Sequence, residues 1–168
     1  MREWTVVAGV CLALMGCTAE APENKIAEDA PVVMKAGQWT FTRQTTGYNT
    51  PTVTAQEYAE QLKNKSVKTV CIAVDEKGLP DADALAGDEG SECSYKDDAV
   101  MRKGRMIANL SCKKSGGGTA ELMVEGNYKP DSLTVGVSMT RTVGGQPVLR
   151  TTHDLTGKFE GECRPEAQ

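Results

Sequence analysis

The sequence predicts a mainly β protein in which an antiparallel meander forms a curved sheet or open barrel, with one or two short helices. Three observations lead to this fold class. Apolar and polar residues alternate in several short segments, which is the pattern of strands with one buried face. The chain has 17 glycines, which favour turns over helices. One segment, starting at Thr54, carries the signals of a good helix.

The first strand is predicted over residues 38–43, where Trp39 and its alternate neighbours form an apolar face. Turn-forming residues at 47–51 are expected to end it. Thr54 can then cap a helix over TAQEYAEQLKNK, and Glu57, three residues later, completes a capping box.

The middle of the chain predicts a strand over residues 67–74 and a short second helix over residues 82–86. Two further strands, 93–101 and 106–112, are expected to form a hairpin around the basic turn 102–105. This arrangement would bring the two ends of the hairpin together.

The alternation is clearest after Gly118, where three strands follow one another. The turns between these strands, 129–132 and 144–147, are short, which predicts an antiparallel meander. We expect six to eight strands in all, with the helix covering part of the sheet. The three strands are 119–126, 133–140 and 148–159.

The N-terminus predicts a bacterial lipoprotein signal. Arg2 precedes an uncharged apolar stretch that is about half the roughly 20 residues of a membrane-spanning helix. Leu14-Met15-Gly16-Cys17 then resembles the lipobox, in which the cysteine thiol receives diacylglycerol and a peptidase cuts after a small residue. The alternative is an ordinary secretory signal with a chance cysteine.

We therefore expect a signal peptide at 1–16, a lipidated N-terminus and flexible tether at 17–34, and one disulfide-bonded domain at 35–165. Lipid on Cys17 would hold the protein on a membrane, facing the periplasm. Thr18 stands where an Asp retains many lipoproteins at the inner membrane, so the outer membrane is the expected location.

The domain has four cysteines, Cys71, Cys93, Cys112 and Cys163, and export to an oxidising compartment predicts two disulfides. Three pairings are possible. The expected hairpin favours Cys93 with Cys112, which leaves Cys71 for Cys163. A thiolate metal site is the alternative, but the chain has no C-x-x-C pair and a single histidine.

Several short motifs, in this order, make the domain similar to the bacterial domain-of-unknown-function family 3617. The resemblance covers about residues 35–163 and implies an exported, mostly β, disulfide-bearing domain, without an established activity. The family usually has Pro where this chain has Ala36, at the start of the first strand. The motifs are Lys35-Ala36-Gly37-Gln38-Trp39, Val70-Cys71, Cys93-Ser94-Tyr95, Asn109-Leu110-Ser111-Cys112, Gly126-Asn127-Tyr128 and Gly161-Glu162-Cys163.

Few residues suggest chemistry. Residues 81–92 place acids at several positions of a calcium loop, but Leu85 cannot coordinate and Ala86 replaces the required glycine. His153, the single histidine, shares a strand face with apolar residues and is expected to be a packing or surface residue. Asp97 and Asp98 are adjacent, so on a strand they would point to opposite faces.

The sequence thus predicts no catalytic residue, no metal and no cofactor. A net charge of −4 and 5% aromatic residues argue against a nucleic-acid partner. We expect a non-catalytic envelope lipoprotein that binds a partner protein or a small apolar ligand, or has a purely structural role. The alternative is a periplasmic hydrolase that uses carboxylates dispersed in the sequence.

Overall fold

The computed structural model describes residues 32–114 and 117–164. The predicted signal peptide, the lipidation site Cys17 and most of the predicted tether lie outside these residues. None of the helices in the described part of the chain is long and apolar enough to cross a membrane. The elements are β1 (Gly37–Asn49), α1 (Ala55–Gln61), β2 (Lys65–Ile72), α2 (Ala82–Ala86), a 3-10 helix (Gly87–Glu89), β3 (Ser91–Tyr95), β4 (Val100–Arg102), β5 (Arg105–Lys113), β6 (Thr119–Lys129), β7 (Ser132–Val143) and β8 (Gln146–Gly161).

The strands form a single antiparallel sheet that curls into a half-barrel. The order is β2-β1-β8-β7-β6-β5-β3, and β4 pairs with β5 beside this path. The predicted fold class, strand number and meander are confirmed. Because β2 and β3 do not pair with each other, the half-barrel is open on one side.

The first strand is longer than predicted. It runs through Gly47 to Asn49, with a register shift against β8 between Thr45 and Gly47. A bulge of this kind lets a strand pass through turn-forming residues while it stays paired. The expected end of the strand at residue 47 is therefore wrong.

The predicted strand 93–101 divides into β3 and β4, with a bend at residues 96–99. The hairpin that follows has a two-residue turn, Lys103-Gly104, and both residues have positive φ, 51° and 76°. This is the geometry of a type I′ turn, whose twist suits a β hairpin. The basic turn predicted at 102–105 is thus confirmed. The strand that precedes it in the hairpin, β4, has only three residues.

The core lies on the inner, concave face of the sheet. Alternate residues of β5, β6, β7 and β8 point into it. Trp39 is fully buried, stacks on Phe41 at 6.1 Å between ring centroids, and packs edge-on against Phe159 at 5.8 Å. Aromatic pairs of this kind add to the free energy gained by burying their surface.

Helix α2 and the 3-10 helix lie across the open side of the half-barrel, and we call residues 82–89 the strap. Its buried side chains are those of Ala82, Leu85 and Ala86. Helix α1 instead lies at the surface without a buried residue, and Oγ1 of Thr54 accepts from the Glu57 amide as the capping box predicts.

The structure pairs Cys71 with Cys163 and Cys93 with Cys112, at Cα distances of 5.4 and 4.0 Å. These are the pairs that the sequence favours. Each disulfide joins an edge strand of the sheet to the rest of the fold. Loops of 92 and 19 residues correspond to about 4.7 and about 3 kcal/mol of stabilisation by the chain-entropy relation.

Candidate functional site

The acidic side chains of the candidate calcium segment make hydrogen bonds and an ion pair within the protein. Residues 81–92 form the strap and the start of β3. Asp81 accepts a hydrogen bond from the Ala73 amide, Asp83 accepts one from the Cys93 amide, and Asp88 pairs with Lys68. The described residues contain no group of three or more His, Cys, Asp or Glu that could hold a metal ion.

The carboxylate pair Asp97-Asp98 lies in the bend between β3 and β4, rather than on a strand as expected. The neighbouring surface groove, of about 780 Å³, is open to solvent and also carries Lys77 and Lys96. Lys77 approaches Asp98 at 3.9 Å, and both side chains are exposed. An exposed pair like this contributes little to stability or binding.

His153 lies at the centre of a group of polar side chains on the inner face, which we call the polar cluster: Arg43, Thr45, Glu89, Thr151 and His153. The imidazole is 5% exposed. Its Nε2 is 3.0 Å from Oε1 of Glu89 and 3.0 Å from Oγ1 of Thr151. Its Nδ1 is 3.3 Å from Oγ1 of Thr45. Both ring nitrogens therefore have partners.

The partners determine where the proton of the imidazole lies. Because an ionised carboxylate can only accept hydrogen bonds, Nε2 of His153 carries the proton that is donated to Glu89. Nδ1 then accepts from the Thr45 hydroxyl when the ring is neutral, and donates to it when the ring is protonated. These contacts make the cluster a link between the strap and β8.

Arg43 links the strap to β1. Its Nη2 donates to the backbone oxygens of Leu85, at 3.0 Å, and Ala86, at 2.9 Å. These carbonyls lie at the end of α2, where backbone acceptors have no partner inside the helix and a cation is favourable. Nη1 is buried and has no hydrogen-bond partner among the residues that the structure describes.

The electrostatics of the cluster follow from its burial. Burial lowers the pKa of Arg43, while the negative charges of Glu89 and Asp88 raise it in part. Burial alone would raise the pKa of Glu89, but the hydrogen bond from His153 and the charges of His153, Arg43 and Lys114 outweigh it, so the pKa is lowered. Glu89 is thus an ionised carboxylate held among cations.

Carboxylate, imidazole and hydroxyl follow one another in the cluster, as they do in hydrolases that activate a nucleophile. Here, however, Thr45 is 8% exposed and its hydroxyl faces the core. A nucleophile needs space for the substrate carbonyl beside it, and the cavity between β1, β2 and the strap, which Arg43 lines, holds about 50 Å³. The arrangement links the strap to β1 and β8 by hydrogen bonds.

Sequence reasoning placed His153 on the correct strand face but missed its partners. The sequence did contain an indication of a buried polar contact, because Arg43 lies on the same strand face as the apolar residues Trp39 and Phe41. A cation on such a face requires a carboxylate or carbonyl partner. The sequence could not show that Glu89, far along the chain, would supply the charge.

Comparison with known families gives one match. A family model described as a protein of unknown function, DUF3617, matches residues 34–163. The chain belongs to the DUF3617 family. The match confirms the family resemblance seen in the sequence and includes every strand, the strap and both disulfides. No curated protein and no solved structure matches the chain.

Among residues 32–114 and 117–164, core side chains pack on the inner face of this DUF3617 domain, and two larger grooves lie at its surface. One groove, of about 590 Å³, lies between the Lys103-Gly104 turn and the turn that joins β6 to β7. Its lining mixes apolar residues such as Leu133 with Lys103 and Lys129. It also touches Val32, the first residue that the structure describes.

Proposed function

We propose that this DUF3617 protein is a non-catalytic binding or structural module of the bacterial cell envelope, held on a membrane by lipid on Cys17. The observation that carries the non-catalytic part is the burial and full engagement of His153, the chain's single histidine. The anchor is supported by the order of apolar core, Gly16 and Cys17 in the sequence.

Several features of the fold support a binding or structural role over a catalytic one. Glu89, the carboxylate of the polar cluster, is engaged with His153 and helps to hold the strap. The inner face is packed, which leaves little space for a small apolar ligand. On the outer face, Val100 and Ile107 are paired neighbours, Met123 lies on the next strand, and all three are exposed.

These exposed apolar residues, Val100, Ile107 and Met123, which we call the outer-face patch, favour a protein partner over a small ligand because they lie on adjacent strands of one open face. The hydrolase alternative is not favoured by the contacts of Glu89, whose carboxylate is already bonded to His153. A purely structural role uses the same features, and the experiments below separate it from ligand binding.

The anchor is tested in the source bacterium by membrane fractionation and intact mass. The wild-type chain is expected in the membrane fraction with the mass of its acyl chains, because two or more buried chains make release negligible. Cys17→Ala should lose both, whereas the control Cys11→Ala, within the predicted signal peptide, should keep both. A membrane-bound, acyl-bearing Cys17→Ala chain would contradict the proposal.

The non-catalytic part is tested by the reactivity of His153 toward diethyl pyrocarbonate, followed by mass spectrometry. A buried imidazole with both nitrogens engaged should react slowly in the folded protein and rapidly in urea. Rapid reaction without urea would show an accessible imidazole and would reopen the hydrolase alternative.

Native mass spectrometry of the purified, unlipidated chain tests for a small ligand. We expect the mass of the polypeptide alone, because the inner face is filled. A persistent added mass would identify a bound molecule and would contradict the preference for a protein partner or a structural role.

A further inference from the structure

One end of the half-barrel carries a group of exposed cations, which we call the basic end: Lys35, Arg102, Lys103 and Lys129. The backbone holds them close together. The Tyr128 amide donates to the Gly104 oxygen at 2.7 Å, and the Lys35 amide donates to the Pro130 oxygen at 2.9 Å. Two turns and the first described residues of the chain therefore form one surface.

The cations at this end are mostly uncompensated. Arg102, Lys103 and Lys129 form no ion pair with a carboxylate in residues 32–114 and 117–164. Lys35 lies over the Phe159 ring, at 5.2 Å from its centroid. Asp131 is the single acid within the two turns. The surface formed by these two turns is thus positive on a chain whose net charge is −4, and the loop after β2, which carries Asp75 and Glu76, lies beside it at Val33.

Apolar groups accompany these charges. Val33 is 44% exposed, whereas Leu133 and Tyr128, which line the groove between the lysines with Val32, are buried. Tyr128 also donates from its hydroxyl to the Val32 oxygen, which fixes the start of the domain against the groove. Lysines beside one exposed valine suit the headgroup region of a bilayer, where phosphates lie next to the hydrocarbon.

The basic end is also the end that the chain reaches first from Cys17. The segment between Cys17 and Val32 is short enough that a flexible chain of its length spans roughly 20 Å rms. An anchor at Cys17 would hold the domain at a high effective concentration beside the headgroups. Even a weak attraction would then orient it, and each Lys or Arg near an anionic surface strengthens binding about fivefold.

We propose that the basic end is a docking surface for anionic phospholipid headgroups, which turns the half-barrel so that this end faces the membrane that carries its anchor. The inference rests on the proposed anchor at Cys17, because the anchor supplies the effective concentration. With the basic end on the bilayer, α1, at the far end of β1, and the outer-face patch remain available to partners.

The experiment uses the mature chain, residues 17–168, as its Cys17→Ala variant without lipid. Its sedimentation is measured with vesicles of phosphatidylglycerol and phosphatidylcholine in equal parts, and with phosphatidylcholine alone, at low and high salt. We expect salt-sensitive binding to the anionic vesicles alone. Reversing two of the cations should weaken this binding by at least about 25-fold, from two fivefold factors.

Two variants guard against a folding defect. Lys103→Asp with Lys129→Glu places Asp, which tolerates positive φ, in the turn. Arg102→Glu with Lys129→Glu leaves that turn unchanged. The matched control is Lys63→Glu with Lys65→Glu, which makes the same change of charge at the opposite end of β2 and should weaken binding less than about threefold.

Three outcomes would overturn the proposal: no binding of the parent chain to anionic vesicles, equal loss in the control and the test variants, or no loss in either test variant. Glu28 and Asp29 lie just before Val32 in the sequence. If these acids neutralised the basic end, the parent chain would not bind anionic vesicles, and the proposal would be overturned. The vesicle assay contains no acylated protein, so a negative result does not bear on the proposed anchor at Cys17. Conversely, vesicle binding can still be measured if Cys17 proves not to carry lipid.

Discussion

Glu89→Gln isolates the charge that holds the strap. Gln keeps the shape of Glu89, and its amide oxygen can still accept from Nε2 of His153, so a neutral hydrogen bond replaces a charged one. Hydrogen bonds to charged groups contribute about 1.5–3 kcal/mol and neutral ones about 0.5–1.5 kcal/mol. The side chain of Glu89 is 18% exposed, so solvent screens little of the difference. We expect a loss of about 1–2 kcal/mol in the free energy of unfolding.

Urea denaturation followed by tryptophan fluorescence is the suitable assay. Trp39 is fully buried, and Trp4 lies in the predicted signal peptide, so one tryptophan reports the unfolding of the mature domain. With a urea slope of about 2 kcal/mol per molar, in the middle of the usual range, the midpoint should fall by roughly 0.5–1 M. The control Glu60→Gln removes an exposed carboxylate paired with Lys63, and should change stability by less than about 0.5 kcal/mol.

The difference between wild type and Glu89→Gln should depend on pH. The pKa of Glu89 is lowered by folding from its ordinary value of 4.5, so its charge stabilises the fold above that value. The contribution is lost as the pH falls through the folded pKa, because both states then bind the proton. The stability difference should be complete near pH 6 and shrink below about pH 4.5. Equal stabilities at pH 6, or a difference that does not shrink in acid, would refute the assigned role of Glu89.

Three further changes test other parts of the fold by the same urea assay. Gly157→Ala places a Cβ 2.6 Å from a Phe41 ring carbon and should cost about 1–3 kcal/mol; an unchanged midpoint would mean that the ring moves freely. Removing the Cys71–Cys163 disulfide by a double Ala substitution should cost about 2–5 kcal/mol and speed amide exchange in β2; unchanged exchange there would show that pairing with β1 suffices. Arg43→Met removes two hydrogen bonds to the strap and should cost about 2–3 kcal/mol; a more stable variant would show that burying the charge outweighs its contacts.

The meander could be predicted because its signals are local. Alternation sets which side chains face the core, and glycine pairs such as Gly144-Gly145 set the hairpin turns. The end of β1 could not be predicted in the same way. Gly47 and its neighbours favour a turn locally, yet pairing with β8 across a bulge holds them in the strand. Tertiary pairing overrides local preference at that point.

The polar cluster was beyond prediction for a different reason. Its members come from β1, the strap and β8, and the distance between Arg43 and Glu89 along the chain depends on how the sheet curls. Alternation placed Arg43 and His153 on strand faces that also carry apolar residues, but it did not show which groups they would contact. A pattern in one strand can predict that a buried polar residue needs a partner, while the identity of the partner depends on the whole topology.

The open side of the half-barrel explains why the chain places charges in its interior. An open sheet leaves β2 and β3 as edges, and β2 is exposed along most of its length. The strap that crosses the gap buries few apolar side chains, two of them alanines, so apolar burial offsets little of the entropy lost when the strap is ordered. Arg43 and His153 supply directional contacts instead, and a buried charge permits few alternative positions for the segment that neutralises it. In this arrangement both ring nitrogens of His153 are engaged in contacts, and the one to Glu89 helps to fix the position of the strap.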